Sequence, residues 1–579
     1  MSDYIDPSSE PGPDDGFHGA AASFQALSLN GTAPPDPGFQ GQSSSSMLVK
    51  AAVALKSGRP SNNDKTAPGA KPWPLTPWRE SSQTYPALSL PDPHLLRTLL
   101  SLYFTHFNRF VPLLHRPTFE RSIEDNMHFY RQDFAHTVLL VCALGSLHLP
   151  KTERCQELAW KWYDQVELCG SSLRCQPTIY DLQAYCLAAH FQLKTCDIRT
   201  SWLTIGFGIR IAEDIGAHRR NLHADAVSTE GELETRAAWY GSCNSSRIAI
   251  LLLTTAAFML DAQLGIALGR QIAINPFDLD IRLASECDDG YWDTIGPGKQ
   301  PPHTPSSIVF FNCSVMLYRI LHFLVKNLYS TSRFYTAGGV DDLEPLAQSL
   351  ETRLRKWFRS IPPHLTWNSE HLSSDNPFFD QSASLHCFYH YLRLLIRRPF
   401  INVSSFARKQ LELDALRTCI EAARAVVDIA DTYHRQTAGA SGMPLFPIEQ
   451  PLFTAAVLLI LKIGLFAQRG DHSEKTDLER VRVALEILMM HAERWPASDF
   501  YVSVLERLLN LNEEEGALSN SVTSTEHEVP AVYMKNSSSS PESWISLAEV
   551  WMAGGIVDIN DIPESTHGIS PVLAGEHER

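Results

Sequence analysis

Three clusters in this sequence have residue types and spacings that could do chemistry. "DDGYWD" places Asp288, Asp289 and Asp293 in one short stretch, and clustered carboxylates can hold magnesium ions against a diphosphate. "HCFYHY" sets His386 and His390 one helical turn apart, a spacing that holds zinc when a third and preferably a fourth ligand joins them. The basic pairs of "HRR" (218–220) and "IRRPF" (396–400) could face a phosphate. Each cluster also has a plainer reading. The aspartates follow Pro276 and precede "TIGPGKQPP", which reads as a solvated acidic loop. The histidines have no recognisable further ligand and read as a pair on a half-buried face. Arginines at helix ends more often cap and pack than bind. No phosphate-binding loop, dinucleotide fingerprint, nucleophile elbow or zinc-protease helix motif is found. The expectation is a protein that is not an enzyme, with no catalytic, cofactor-binding or metal-ligating residue of its own.

The elements that would carry such groups are helical. Residues 1–90 are rich in Ser, Pro and Gly, with "SSSS" at Ser43–Ser46, and read as a disordered linker that cannot bury enough apolar surface to offset its chain entropy. Order begins at "PDPHLLRTLLSLYFTHFNRF", with Asp92 as N-cap, Pro93 in the first turn and Leu96, Leu99, Tyr103, Phe107 and Phe110 at helical spacing. Further helices are expected over 133–147, 152–169, 178–194, 200–217, 305–330, 342–360, 382–398, 407–436, 450–468, 474–495 and 498–512. Strand alternation is rare, so residues 91–512 read as one large all-α, multi-helix region. Residues 513–579 turn polar and acidic. Within them, Trp544, Leu547 and Trp551 interleave with Glu542, Glu549, Asp558 and Asp561. That is the composition of an activation segment, but the plainer reading, a terminal helix docking on the core by its aromatic face, is preferred.

Charge and cysteine usage narrow the partners. A net charge of −16 argues against a broad phosphate-gripping surface, because nucleic-acid affinity comes largely from Lys and Arg displacing counterions. The cysteines, from Cys142 to Cys419, show no Cys-x-x-Cys pair and read as buried thiols in a reducing compartment. The N-terminus has no basic start followed by an apolar core, so no secretory signal is read there. The apolar run from Ile248 to Leu260 ends at Asp261, short of the roughly 20 residues that a membrane span needs. No membrane partner is expected. In the helix over 200–217, Gly206 and Gly208 each cost about 1 kcal/mol relative to Ala, which suggests a second helix packed close against both.

Several segments, read together, resemble the fungal-specific transcription factor domain, the middle homology region of the zinc binuclear-cluster regulators. "LYFTHFNRFVPLLHRPTF" is similar to its opening through Tyr103, Phe104, Pro112, His115, Pro117, Thr118 and Phe119. "SWLTIGFGIRIAEDIGAHRRN" matches a later landmark at Trp202, Gly206, Ala212, Gly216, His218 and Arg219. "ELETRAAW" and "FMLDAQLGIALGRQ" supply Glu232, Arg236, Trp239, Leu260, Asp261, Leu268, Gly269 and Arg270, with Gln271 where the family usually has proline. "LRKWFRSIPPHL" and "FYHYLRLLIRRPF" resemble two further landmarks. The resemblance covers about residues 95–500, and its residues look like folding residues rather than reactive ones.

The resemblance implies a nuclear regulator of RNA polymerase II transcription, working as a homo- or heterodimer with the transcription machinery and open to a small-molecule effector. Family members read DNA with a six-cysteine, two-zinc cluster upstream of this domain. The first cysteine here, Cys142, already lies inside the domain. Zinc and DNA contact are therefore expected only through a cluster encoded upstream of Met1 or through a partner protein. The alternatives are a co-regulator or scaffold that partners an intact family member and, more remotely, a magnesium-dependent enzyme resembling terpene synthases and using Asp288 and Asp289. The passage "YGSCNSSRIAILLLTT", Tyr240–Thr255, separates Trp239 from Asp261 by far more than the family's handful of residues. Removing it leaves "ETRAAWAAFMLDAQLGIALGR", an unbroken helical pattern, and Trp-Tyr codons contain a fungal splice-donor GTA. It reads as a translated, unspliced intron, with a genuine insertion forming an extra buried turn as the alternative.

Overall fold

The computed structural model describes residues 88–150, 154–168, 178–214, 247–274, 283–292, 300–329, 343–368, 376–401, 410–437, 447–466 and 473–522. Among these, every regular element is helical. The first described helix is α1 (Pro93–Tyr103), where Asp92 accepts hydrogen bonds from the His94 and Leu95 N–H groups and so caps the first turn. A π-turn, Phe104–Asn108, follows, then α2 (Arg116–Glu124), α3 (Gln132–Ser146), α4 (Arg154–Tyr163), α5 (Ile179–Thr195) and α6 (Ile198–Asp214). Helix α7 (Arg247–Leu268) leads to α8 (Ile308–Leu328), α9 (Glu344–Arg359) and α10 (Phe379–Arg397). The described residues end with α11 (Gln410–Thr437), α12 (Glu449–Phe466), α13 (Ser473–Ala492) and α14 (Asp499–Val522). Most of these bounds lie within a few residues of the helices expected from periodicity; α4 ends six residues before its expected end at 169, α14 runs ten residues past its expected end at 512, and α2 and α7 were not among the expected helices. The outer linker, most of the C-terminal tail, Gly216, His218, Arg219, Glu232, Arg236, Trp239, Asp293 and Tyr240–Ser246 lie outside the described residues.

The helices form two neighbouring groups. In the first, α1 and α4 pack on α3, α3 on α5, and α5 on α6; in the second, α10 packs on α11, α11 on α12, and α12 on α13. Helix α7 joins them, touching α5 and α6 on one side and α8 on the other. Its backbone runs unbroken from Arg247, and Thr254 and Thr255 are buried. The last residues of the passage read as an insertion therefore belong to the same helix as Asp261. Helix α8 is long and apolar enough to cross a membrane, yet 61% of its most apolar window is buried against other helices. That burial identifies it as a core helix.

Glycine placement departs from expectation at one position. A side chain at Gly208 would meet Tyr185 Cβ at 2.9 Å, whereas nothing lies within 4 Å of the corresponding point at Gly206. The close α5–α6 contact thus needs Gly208 alone. Gly206→Ala should raise stability by about 0.5–1 kcal/mol through helix propensity, while Gly208→Ala should lower it, both read from urea unfolding. A tighter contact, unforeseen in the sequence, occurs at Gly145, where a Cβ would lie 2.3 Å from the Leu99 carbonyl oxygen. No residue but glycine lets α3 approach α1 so closely.

Candidate functional site: a cavity between the two helical groups

Asp288, Asp289, His386 and Arg397 each bond to parts of the helical framework, while "HRR" (218–220) and Asp293 lie outside the described residues. Asp288 Oδ1 accepts hydrogen bonds from Ser306 Oγ (2.9 Å), Ser307 Oγ (2.7 Å) and Ser307 N (2.8 Å) at the start of α8. Asp289 Oδ2 accepts from Arg116 N at the start of α2 (3.0 Å). Each carboxylate thus caps the N-terminus of a helix distant in sequence, where backbone N–H groups are otherwise unsatisfied. The reading as a purely solvated loop is corrected to that extent, and the aspartates are committed to separate helices rather than to one metal. His386 Nδ1 donates to the Ser382 carbonyl (2.9 Å), and its Nε2 accepts from Trp367 N (3.3 Å). Burial brings it down to about 4 and His390 to about 3, so both imidazoles are neutral. Among the described residues no three His, Cys, Asp or Glu side chains are grouped as metal ligands would be. Arg397 holds Glu344 (Nη1–Oε2 2.7 Å) and Glu351 on α9.

Most of the motif residues among the described ones fall into two structural clusters. Tyr103, fully buried, donates to Asn108 Oδ1 (3.2 Å), and Asn108 in turn binds both the N–H and the carbonyl of Leu114. This locks the turn that delivers Pro112 and His115; His115 Nδ1 meets Thr118 Oγ1 at 2.9 Å, and Pro117 opens α2. Phe119 packs edge-on to Phe104. The second cluster closes the end of α7. Gly269 takes φ 62°, the left-handed value that favours glycine as a helix terminator. The Arg270 guanidinium then lies 4.6 Å from the Trp202 ring centroid.

Asp261 belongs to that second cluster. Its Oδ2 accepts from Ala273 N at 2.6 Å, while Oδ1 is buried without a hydrogen-bond partner. Burial pushes the carboxyl up to about 6 against the opposing Ala273 and Ile274 N–H groups. A folded-state value above the unfolded one means that its contribution is fully present below about pH 3.8 and is lost as pH rises through 6. Asp261→Asn should remove a loss of about 2–3 kcal/mol between pH 4 and 7, measured by urea unfolding across that range.

One cavity stands apart from these folding clusters. It has a volume of about 550 Å³, within the roughly 300–1,000 Å³ typical of small-molecule sites. The first helical group supplies the α5–α6 junction, Lys194 to Ile198, and α7 supplies Gln263 and Ile266. The second supplies Tyr391 on α10, Arg398 just beyond it, Glu449, Phe453 and Val457 on α12, and Tyr501 and Val504 on α14. Asp197 and Phe500, both exposed, mark its solvent side.

A buried ion pair forms its inner wall. Lys194 Nζ donates to Glu449 Oε1 and sits 3.8 Å from the Trp495 ring centroid; His491 Nδ1 lies 3.8 Å from the same carboxylate oxygen. Burial works to raise the Glu449 carboxyl, but Lys194 and His491 outweigh it and bring it down to about 2. Burial lowers His491 itself, against the pull of Glu449. Burial raises the Tyr391 phenol, which also bonds Thr454 and Gln450. Lys194 and Glu449 are far apart in sequence, and neither sits in a motif. The signal that could have found them is a charged residue on an otherwise apolar helix face.

Residues 100–359 match the family model of the fungal specific transcription factor domain. That stretch is 260 of the 579 residues and is what the chain shares with the family. The match takes in the landmarks at Tyr103–Phe119, Trp202–Arg219 and Leu260–Arg270 and ends within the "LRKWFRS" segment; "FYHYLRLLIRRPF" lies beyond it. Relatives include the transcriptional activator protein acu-15 of Neurospora crassa, 23% identical over 349 residues, which are 57% of this chain and 33% of that one. The thiamine repressible genes regulatory protein thi5 of Schizosaccharomyces pombe is 24% identical over 64% of this chain and 45% of its own. The positive regulator of purine utilization of Emericella nidulans is 22% identical over 60% and 40%. The chain spans less than half the length of these relatives. No solved structure matches significantly.

Proposed function

We propose that this chain is the regulatory region of an RNA polymerase II transcription regulator acting in the nucleus, with no enzymatic activity of its own. The observation that carries this reading is the transcription factor domain at residues 100–359 together with relatives named as activators and regulators of transcription. DNA contact and zinc come from a six-cysteine cluster outside this sequence or from a dimer partner. That division of labour is consistent with the net charge of −16, which suits an interaction module better than a phosphate-binding one. The acidic, tryptophan-containing segment near Trp544 and Trp551 supplies the activation function. The deciding experiment fuses the chain to a foreign DNA-binding domain before a reporter in a fungal host. Altered transcription, reduced when residues 513–579 are removed, is the expected result. A reporter unchanged under every growth condition would exclude the reading. Transcript sequencing across the Trp239–Tyr240 codons separately tests the intron: reads that skip Tyr240–Thr255 support it, and uniform retention removes it.

A further inference from the structure

Most of the cavity wall is apolar, and the charges in it balance. Ile198, Ile266, Phe453, Val457, Val504 and Leu508 contribute aliphatic and aromatic side chains from both helical groups. The lining holds two cations, Lys194 and Arg398, and two acids, Asp197 and Glu449. Lys194 and Glu449 pair with each other. Arg398 is engaged within the protein, and Asp197 accepts a hydrogen bond from Thr200 N at 2.6 Å. Where α10 and α12 meet, the Tyr391 phenol bonds Thr454 and Gln450. A hydrogen-bonding position stays open at Gln263 on α7, which also lines the cavity. Its Oε1 accepts from the Tyr318 hydroxyl at 3.2 Å, and its Nε2 makes no hydrogen bond among the described residues.

We propose that the cavity binds an uncharged, mainly apolar small molecule carrying a hydroxyl group, with its head on the Gln263 amide and its body along α12 and α14. The apolar walls supply affinity in proportion to the area they remove from water. A charged head would lose its hydration on entry and meet charges that are already engaged, so its desolvation would go uncompensated. Beside the Lys194–Glu449 pair, attraction to one member is opposed by repulsion from the other. A hydroxyl costs far less to desolvate, and because it both donates and accepts it recovers that cost in a hydrogen bond to the open end of the amide. Such a ligand touches α5 and α7 on one side and α12 and α14 on the other. It therefore favours the arrangement in which the two helical groups are closed on each other. Any regulatory meaning of that closure rests on the proposed function; the binding itself does not.

The test is isothermal titration of the purified full chain with decan-1-ol, decanoate and decylammonium, each below its solubility or aggregation limit. Decan-1-ol should bind saturably at one site, at least about tenfold more tightly than either ion. Gln263→Leu should weaken decan-1-ol about fivefold, the worth of one hydrogen bond. Ala267→Trp, a cavity-lining position on α7 that is partly exposed, should abolish binding with the circular dichroism spectrum unchanged. If that variant does not fold, Ala497→Trp in the turn before α14 takes its place. Absence of saturable decan-1-ol binding, an ion bound as tightly as the alcohol, or binding that survives both tryptophan variants would overturn the assignment. An unchanged affinity in Gln263→Leu would overturn the position of the head. An active reporter fusion without decan-1-ol binding removes the site and leaves the regulatory role. Binding with a silent reporter does the reverse.

Discussion

Replacing Asp477 with alanine should lower the unfolding free energy of the helical domain by about 3–5 kcal/mol, the range for removing one partner of a buried charge cluster. The Asp477 side chain is fully buried and holds three helices together. Arg424 on α11 donates to it with a two-pronged fork, Nε to Oδ1 and Nη2 to Oδ2, both at 2.7 Å. Lys462 on α12 donates to Oδ2 at 2.7 Å, and Arg480, one turn along α13, approaches within 3.7 Å. Alanine would leave the Arg424 and Lys462 cations facing each other with their shared anion gone. Burial works to raise the Asp477 carboxyl, but Arg424 and Lys462 outweigh it and hold it below the usual aspartate value. A depressed folded-state value means that the contribution is present above the unfolded aspartate pKa and is lost as pH falls. Urea unfolding at pH 7 should therefore show the full loss for Asp477→Ala, and the difference from the parent should shrink as the buffer is acidified below pH 4. Arg424→Lys should cost less than Asp477→Ala, since lysine keeps the charge but not the fork.

Lys194→Met should destabilise by a comparable amount, about 3–5 kcal/mol, because it leaves the Glu449 carboxylate buried without its cation. Lys194 and Glu449 are 6% and 8% exposed, so water cannot replace the lost partner. The double variant Lys194→Met/Glu449→Leu should recover much of the loss, since a buried ion pair exchanged for apolar side chains of similar volume is often near neutral. Glu449, brought down from 4.5 to about 2 in the folded chain, contributes stability present above pH 4.5 and lost as pH falls toward 2. The parent should unfold more readily across that acid window, and the double variant should lack that dependence. If the single and double variants prove equally unstable, the packing of the lysine stem against Trp495 matters more than the charge pairing.

The elements and the clusters were unequally legible in the sequence. Helix positions follow from local periodicity: the run Leu96, Leu99, Tyr103 predicts the buried face of α1, and Ile205, Ile209 and Ala212 predict that of α6. The family landmarks were legible for the same local reason, since Tyr103–Asn108–Leu114 is a short-range lock and Gly269 a local terminator. Asp288 and Asp289 showed their residue type but not their purpose, because the helix N-termini they cap are 19 and 173 residues away. Gly206 and Gly208 looked equivalent on one helix, and only the position of Tyr185 separates them.

What the sequence determined by itself is a helical class, the places of most of the described helices and a likeness to a regulatory family. These depend on patterns repeated every three or four residues and on short motifs, which any reader of the chain can see. Only the tertiary structure decided which charges are buried together and where space is left between helices. Lys194 and Glu449 lie 255 residues apart, and Asp477, in the polar stretch "SEKTDLERVR", resembles any solvent-facing acid until α11 and α12 close over it. A cavity is the volume that packing leaves unfilled. It depends on how several helices meet at once, and no single stretch of chain encodes that.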